Sequence, residues 1–74
     1  MCVGEKIKKH LKDNGISQTF LAEKTGISLS KLNMSLNGNR RLDFGEYELI
    51  CGVLSVGTDK FLEPKKPIDT ENAT

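Results

Sequence analysis

Ser17-Gln18-Thr19-Phe20-Leu21-Ala22-Glu23-Lys24-Thr25-Gly26-Ile27-Ser28 holds two helix starts and one helix stop within twelve residues. Ser17 and Ser28 each stand where a hydroxyl can take up free backbone N–H groups at the start of a helix. Gly26, between them, can adopt the left-handed backbone that ends one. The pattern predicts a helix over 18–25, a turn at Gly26 and Ile27, and a further helix from Leu29 to Leu36 that stops at Asn37-Gly38-Asn39. Phe20, Leu21 and Ala22 are expected on the buried side of the first of these. Two helices that meet steeply across so short a turn need a small residue at their closest approach and a permissive backbone at the corner. Ala22 and Gly26 meet those needs. Leu21, Ile27 and Leu32 then line the inside of the corner, leaving Ser28, Leu29, Ser30, Asn33 and Met34 outward. An alanine and a glycine four residues apart also occur in ordinary helix packing, so this pair alone assigns no role.

Before this run, Val3, Ile7 and Leu11 recur at four-residue steps with Lys6, Lys8, Lys9 and Lys12 on the other faces, which predicts a first amphipathic helix ended by Asn14-Gly15. On the other side, Asp43 with Glu46 three residues on reads as a capping box. It opens a fourth helix whose Phe44, Tyr47, Ile50, Cys51 and Leu54 share one side and which Gly57 closes. Thr58 or Asp59 starts a last short helix holding Phe61 and Leu62 before Pro64 breaks it. The expectation is a compact all-α, five-helix domain over residues 1–63, followed by a flexible polar tail over 64–74.

Seventy-four residues suit one domain, and a hydrophobic fraction of 36% with no tryptophan suits a small helical bundle built on Leu, Ile and Val. No stretch approaches the ~20 apolar residues that span a bilayer. The start, Met1-Cys2-Val3-Gly4-Glu5, turns charged too soon for a signal peptide, so a cytoplasmic protein is expected. Cys2 and Cys51 lack partners at metal-ligand spacing, which predicts no metal site, with Cys51 a core residue. His10 has no Ser, Cys or second His at a useful spacing and is expected at the surface or a helix end; nothing assembles a nucleophile, base and oxyanion donors, so no enzyme is expected. Net charge is only +1, but it is unevenly spread. Residues 4–41 carry eight basic against three acidic side chains, a net of +5, and the remainder carries three against seven, a net of −4. A polyanion should prefer the first part.

The run from Ser17 to Ser28, with Leu32 and Asn37-Gly38-Asn39-Arg40-Arg41 after it, resembles the phage-repressor and Cro type of helix-turn-helix, the XRE family. The likeness extends from about Gly4 to Leu62, where Val56-Gly57-Thr58-Asp59-Lys60-Phe61-Leu62 is similar to the family's ending. Two positions depart from it: Thr25 and Ser35 stand where the family usually has aliphatic residues, and Leu36 is the candidate to replace the second contact.

The resemblance implies a lambda-repressor-like fold with its helix-turn-helix at helices 2 and 3, and a third helix that enters the DNA major groove N-terminus first. Ser28, Leu29, Ser30, Asn33 and Met34 would contact bases. Serine hydroxyls suit base edges, Asn33 suits adenine, and Leu29 and Met34 suit thymine methyl groups, which predicts A·T-rich half-sites at ~1 kcal/mol of discrimination per contact. Gln18, Lys31, Asn37, Asn39, Arg40 and Arg41 would contact phosphates, with Lys6 a weaker candidate. Against these stand plainer readings: Arg40-Arg41 as a solvated loop, and Met34 as core.

The function implied is a repressor-like regulator that binds a palindromic double-stranded operator as a homodimer, with no cofactor and no small-molecule ligand, of bacterial or phage origin. Dimer contacts are expected around Tyr47, Val53, Val56 and Phe61. The alternative is an antitoxin-like or adaptor module whose acidic second part binds a basic protein, with little direct DNA binding.

Overall fold

In the computed structural model, which describes residues 2–62, four helices follow one another: α1 (Val3–Asp13), α2 (Gln18–Thr25), α3 (Leu29–Leu36) and α4 (Phe44–Leu54). There is no strand among the described residues. The tail expected over 64–74 lies outside them.

Each helix starts on a local signal. The Glu5 carboxylate accepts from Cys2 N (3.2 Å) at α1. Ser17 Oγ accepts from Phe20 N (3.0 Å) at α2, and Ser28 Oγ from Lys31 N (3.2 Å) at α3. At α4 the capping box is reciprocal, with Glu46 N donating to Asp43 Oδ1 (2.7 Å) and Asp43 N to Glu46 Oε1 (3.1 Å). Gly26 ends α2 at φ +78°, as the corner requires, and its N–H returns to Ala22 O at 2.9 Å.

The core joins Ile7 and Leu11 of α1, Leu21 and Ala22 of α2, Leu32 and Leu36 of α3, and Tyr47, Ile50 and Cys51 of α4, with Ile27 and Phe61 closing its ends. The two departures from the family pattern find local uses. Thr25 Oγ1 donates to Leu21 O (2.8 Å) and accepts from Ile27 N (3.3 Å), so the hydroxyl latches the turn an aliphatic side chain would only have packed against. Ser35 is fully buried beside Leu36, because there the start of α1 lies against the α3 backbone. A Cβ on Gly4 would overlap the Ser35 carbonyl, with the carbonyl carbon at 2.8 Å, so only glycine permits this approach.

Several expectations need correction. The fifth helix is replaced by turns: Lys60 N bonds Gly57 O (3.1 Å) and Leu62 N bonds Asp59 O (3.3 Å), three residues apart rather than four. That segment is anchored from outside itself, by Tyr47 OH donating to Thr58 O (2.6 Å) and by Phe61 standing edge-on to His10 and Tyr47, at 5.4 and 6.5 Å between ring centres. Burial raises the Tyr47 phenol above its ordinary pKa, helped by the Cys51 thiol, which keeps the donated proton in place. Helix α4 stops before Gly57: Ser55 takes the left-handed conformation (φ +60°), costing an L-residue ~1 kcal/mol and letting Val56 N return to Cys51 O at 3.0 Å. Phe44 and Phe20, expected inside, are 63% and 44% exposed. Phe44 opens α4 one layer beyond the core, and Phe20 carries Lys24 Nζ over its ring at 5.7 Å.

Candidate nucleic-acid interface

Helix α3 has two unlike sides. Leu32, Ser35 and Leu36 are buried, while Leu29, Ser30, Lys31, Asn33 and Met34 are exposed. With 3.6 residues per turn, positions 29, 30, 33 and 34 share one face, and the structure brings these expected base-contact residues together on it. Leu29 and Met34 are 46% and 42% exposed, so Met34 is no part of the core. Ser28 adjoins this face at the N-cap, where its oxygen accepts from Lys31 N.

The expected phosphate contacts divide. Gln18, the first residue of α2, reaches across the corner: Asn33 Nδ2 donates to Gln18 Oε1 at 3.2 Å. Asn37 Nδ2 donates to Asn33 Oδ1 (3.0 Å), and Lys8 Nζ of α1 donates to Asn37 Oδ1 (2.6 Å). Gln18, Asn33 and Asn37 are thus one connected group at the edge of α3. Lys8 is a member that sequence reasoning passed over, since no local signal ties a lysine to a residue 29 positions away. Asn39 and Arg41 are exposed in the loop after α3, where Gly38 at φ +82° turns the chain.

Arg40 points elsewhere. Its Nη1 donates to Ser35 Oγ (3.0 Å) and its Nη2 to Glu46 Oε2 (2.8 Å), with the two charged side chains 27% and 18% exposed. The Arg40 hydrogen bond is the main reason the Glu46 carboxyl sits below its ordinary range, with the Asp43 backbone N–H adding to it; the guanidinium is correspondingly raised. Lys31 adds a smaller attraction toward Glu46. A phosphate contact by Arg40 would require it to leave this pair, whereas Arg41 is exposed to solvent. On α1, Lys9 Nζ pairs with Asp13 at 2.8 Å and holds that carboxyl below its ordinary range.

Tyr47 and Phe61, expected at a dimer contact, are each 4% exposed and belong to the domain's own core; Val53 and Val56 are only partly covered. Cys51 is buried and Cys2 exposed, both as free thiols. Among the described residues no helix is long and apolar enough to cross a membrane.

This arrangement offers a short exposed helix braced at its edge by amides and backed by a corner with a glycine at its apex. A family model described as a Cro/C1-type HTH DNA-binding domain matches residues 6–66. No curated protein and no solved structure matches the chain. With that match covering most of the 74 residues, α2, the Gly26 corner and α3 included, the chain belongs to the family of Cro/C1-type HTH DNA-binding domains, a non-enzymatic family of double-stranded DNA binders.

Proposed function

We propose that this domain is a sequence-specific, repressor-like transcriptional regulator that inserts α3 into the major groove of a palindromic operator as a homodimer. The observation that carries this reading is the outward face of α3. Two apolar side chains, Leu29 and Met34, flank the Ser30 hydroxyl on a helix whose other side is locked into the core. An exposed apolar pair of this kind suits thymine methyl groups, and Ser28 and Ser30 suit base edges. Asn33 keeps one amide proton and one oxygen lone pair beyond its two bonds, enough for a base edge beside Gln18. Gln18, Lys31, Asn37, Asn39 and Arg41 take the phosphates. Arg40, held by Glu46, serves by shaping the loop that presents Asn39 and Arg41.

Selecting bound duplexes from a random pool tests this directly. We expect a two-fold symmetric, A·T-rich motif with half-site centres about one helical turn, ~34 Å, apart, and a shifted or relaxed motif for Ser30→Ala. Retention indifferent to sequence, or no retention at low salt, would defeat the reading and favour a protein-binding adaptor.

A further inference from the structure

The group at the edge of α3 has a direction. A lysine ammonium carries protons to give and no lone pair to offer, so Lys8 Nζ, 2.6 Å from the Asn37 side chain, must face its oxygen. That leaves Asn37 Nδ2 turned toward Asn33 Oδ1 at 3.0 Å, and Asn33 Nδ2 turned toward Gln18 Oε1 at 3.2 Å. Flipping any one amide would set two oxygens or two nitrogens against each other. Gln18 therefore ends the series with its oxygen occupied and, among the described residues, no partner for either Nε2 proton, at the first residue of α2 where free backbone N–H groups also point outward.

We infer that Lys8 is a positioning residue for DNA binding: acting through Asn37 and Asn33, it orients the Gln18 carboxamide so that donors, and not the oxygen, meet a phosphate at the start of α2. A phosphate oxygen accepts and never donates, so a Gln18 turned the other way contributes nothing there. All four side chains are wholly or partly open to water in the free domain, which weakens each bond; exclusion of water by a bound duplex strengthens the whole series together. The inference rests on the reading of α2 and α3 as the DNA-binding face, and it assigns to α1 a part in that face.

The rival explanation is that the Lys8 charge touches a phosphate by itself. A double-mutant cycle separates the two. Binding to random-sequence duplexes is measured for the wild type, Lys8→Met, Gln18→Ala and the double variant, with thermal melts to confirm that each is folded. We expect Lys8→Met to weaken binding roughly two- to tenfold, the span of one ordinary hydrogen bond, and to cost almost nothing further once Gln18 is alanine. Lys8→Arg, still only a donor, should keep most of the affinity. In the free protein, Lys8→Met should move the side-chain amide NMR signals of Asn37, Asn33 and Gln18 together. Equal losses in both backgrounds, or a response confined to Asn37, would overturn the inference. Should the wild type bind no duplex at all, the DNA reading falls, while the amide signals of the free protein still decide whether Lys8 sets the order.

Discussion

Ser35 is gripped from two sides by contacts of opposite kind. Its carbonyl meets Gly4 of α1 backbone to backbone, and its hydroxyl accepts from Arg40, whose other nitrogen is paired with Glu46 of α4. The first contact is a matter of shape: it leaves no room for a single carbon, and neither salt nor acid alters it. The second is a matter of charge, made by a long side chain partly open to water, and it can be weakened without disturbing the packing below it. Thus α3 is fixed against α1 sterically and tied to α4 electrostatically, and the two ties should fail under different treatments.

The shape contact should be the costlier to break. Gly4→Val gains helix propensity of at most ~1 kcal/mol but drives side-chain atoms into the Ser35 backbone, an overpacking worth ~3 kcal/mol or more. Small domains hold only about 5–15 kcal/mol in all, so urea unfolding should begin at much lower denaturant. An unchanged midpoint would show that α1 can lift away from α3 freely.

Next comes the charge contact. Glu46→Gln keeps an oxygen for the Asp43 backbone N–H while removing the partner of Arg40, and should lower Tm by roughly 3–6 °C at neutral pH. Because the folded domain holds the Glu46 carboxyl below its ordinary 4.5, its contribution is complete above that value and is lost as pH falls through the lower, folded one. The gap in Tm between wild type and variant should therefore be flat from neutrality to about pH 5 and close in stronger acid; a gap that stays constant in acid would mean that shape, not charge, was removed.

The smallest effect is expected at the solvent-exposed Lys9–Asp13 pair. Asp13→Asn should leave Tm within about a degree of the wild type, since solvent screens such pairs almost completely. A larger drop would mean that a largely covered and an open ion pair do not differ in what they contribute.

What could be read in the sequence was what is decided within a few residues. Ser17, Ser28 and the Asp43–Glu46 box each act over three residues, and Gly26 acts on its own backbone, so α2, α3 and the start of α4 fall where those signals put them. The outward set on α3 followed from the phase of Leu32 against the caps. The fold departs from those local signals where a distant partner decides. Phe44 has the right spacing for the core, yet no layer of the described residues covers it. The stretch at 58–61 looked helical because its apolar pair and Pro64 frame it, yet it is held by Tyr47 from eleven residues away. Arg40 and Arg41 are indistinguishable in a sequence, yet in the folded chain one is paired with Glu46 and the other is exposed to solvent.

The absence of a side chain at Gly4 also bears on how such a domain can change its target. The height at which α3 stands above the rest of the molecule is set there by main-chain atoms common to every amino acid. Leu29, Ser30 and Met34, all on the far side of that support, can accordingly be exchanged for other residues while the platform beneath them keeps its dimensions. On the proposed reading of α3, the base sequence it selects is free to drift or be redesigned without the body being rebuilt.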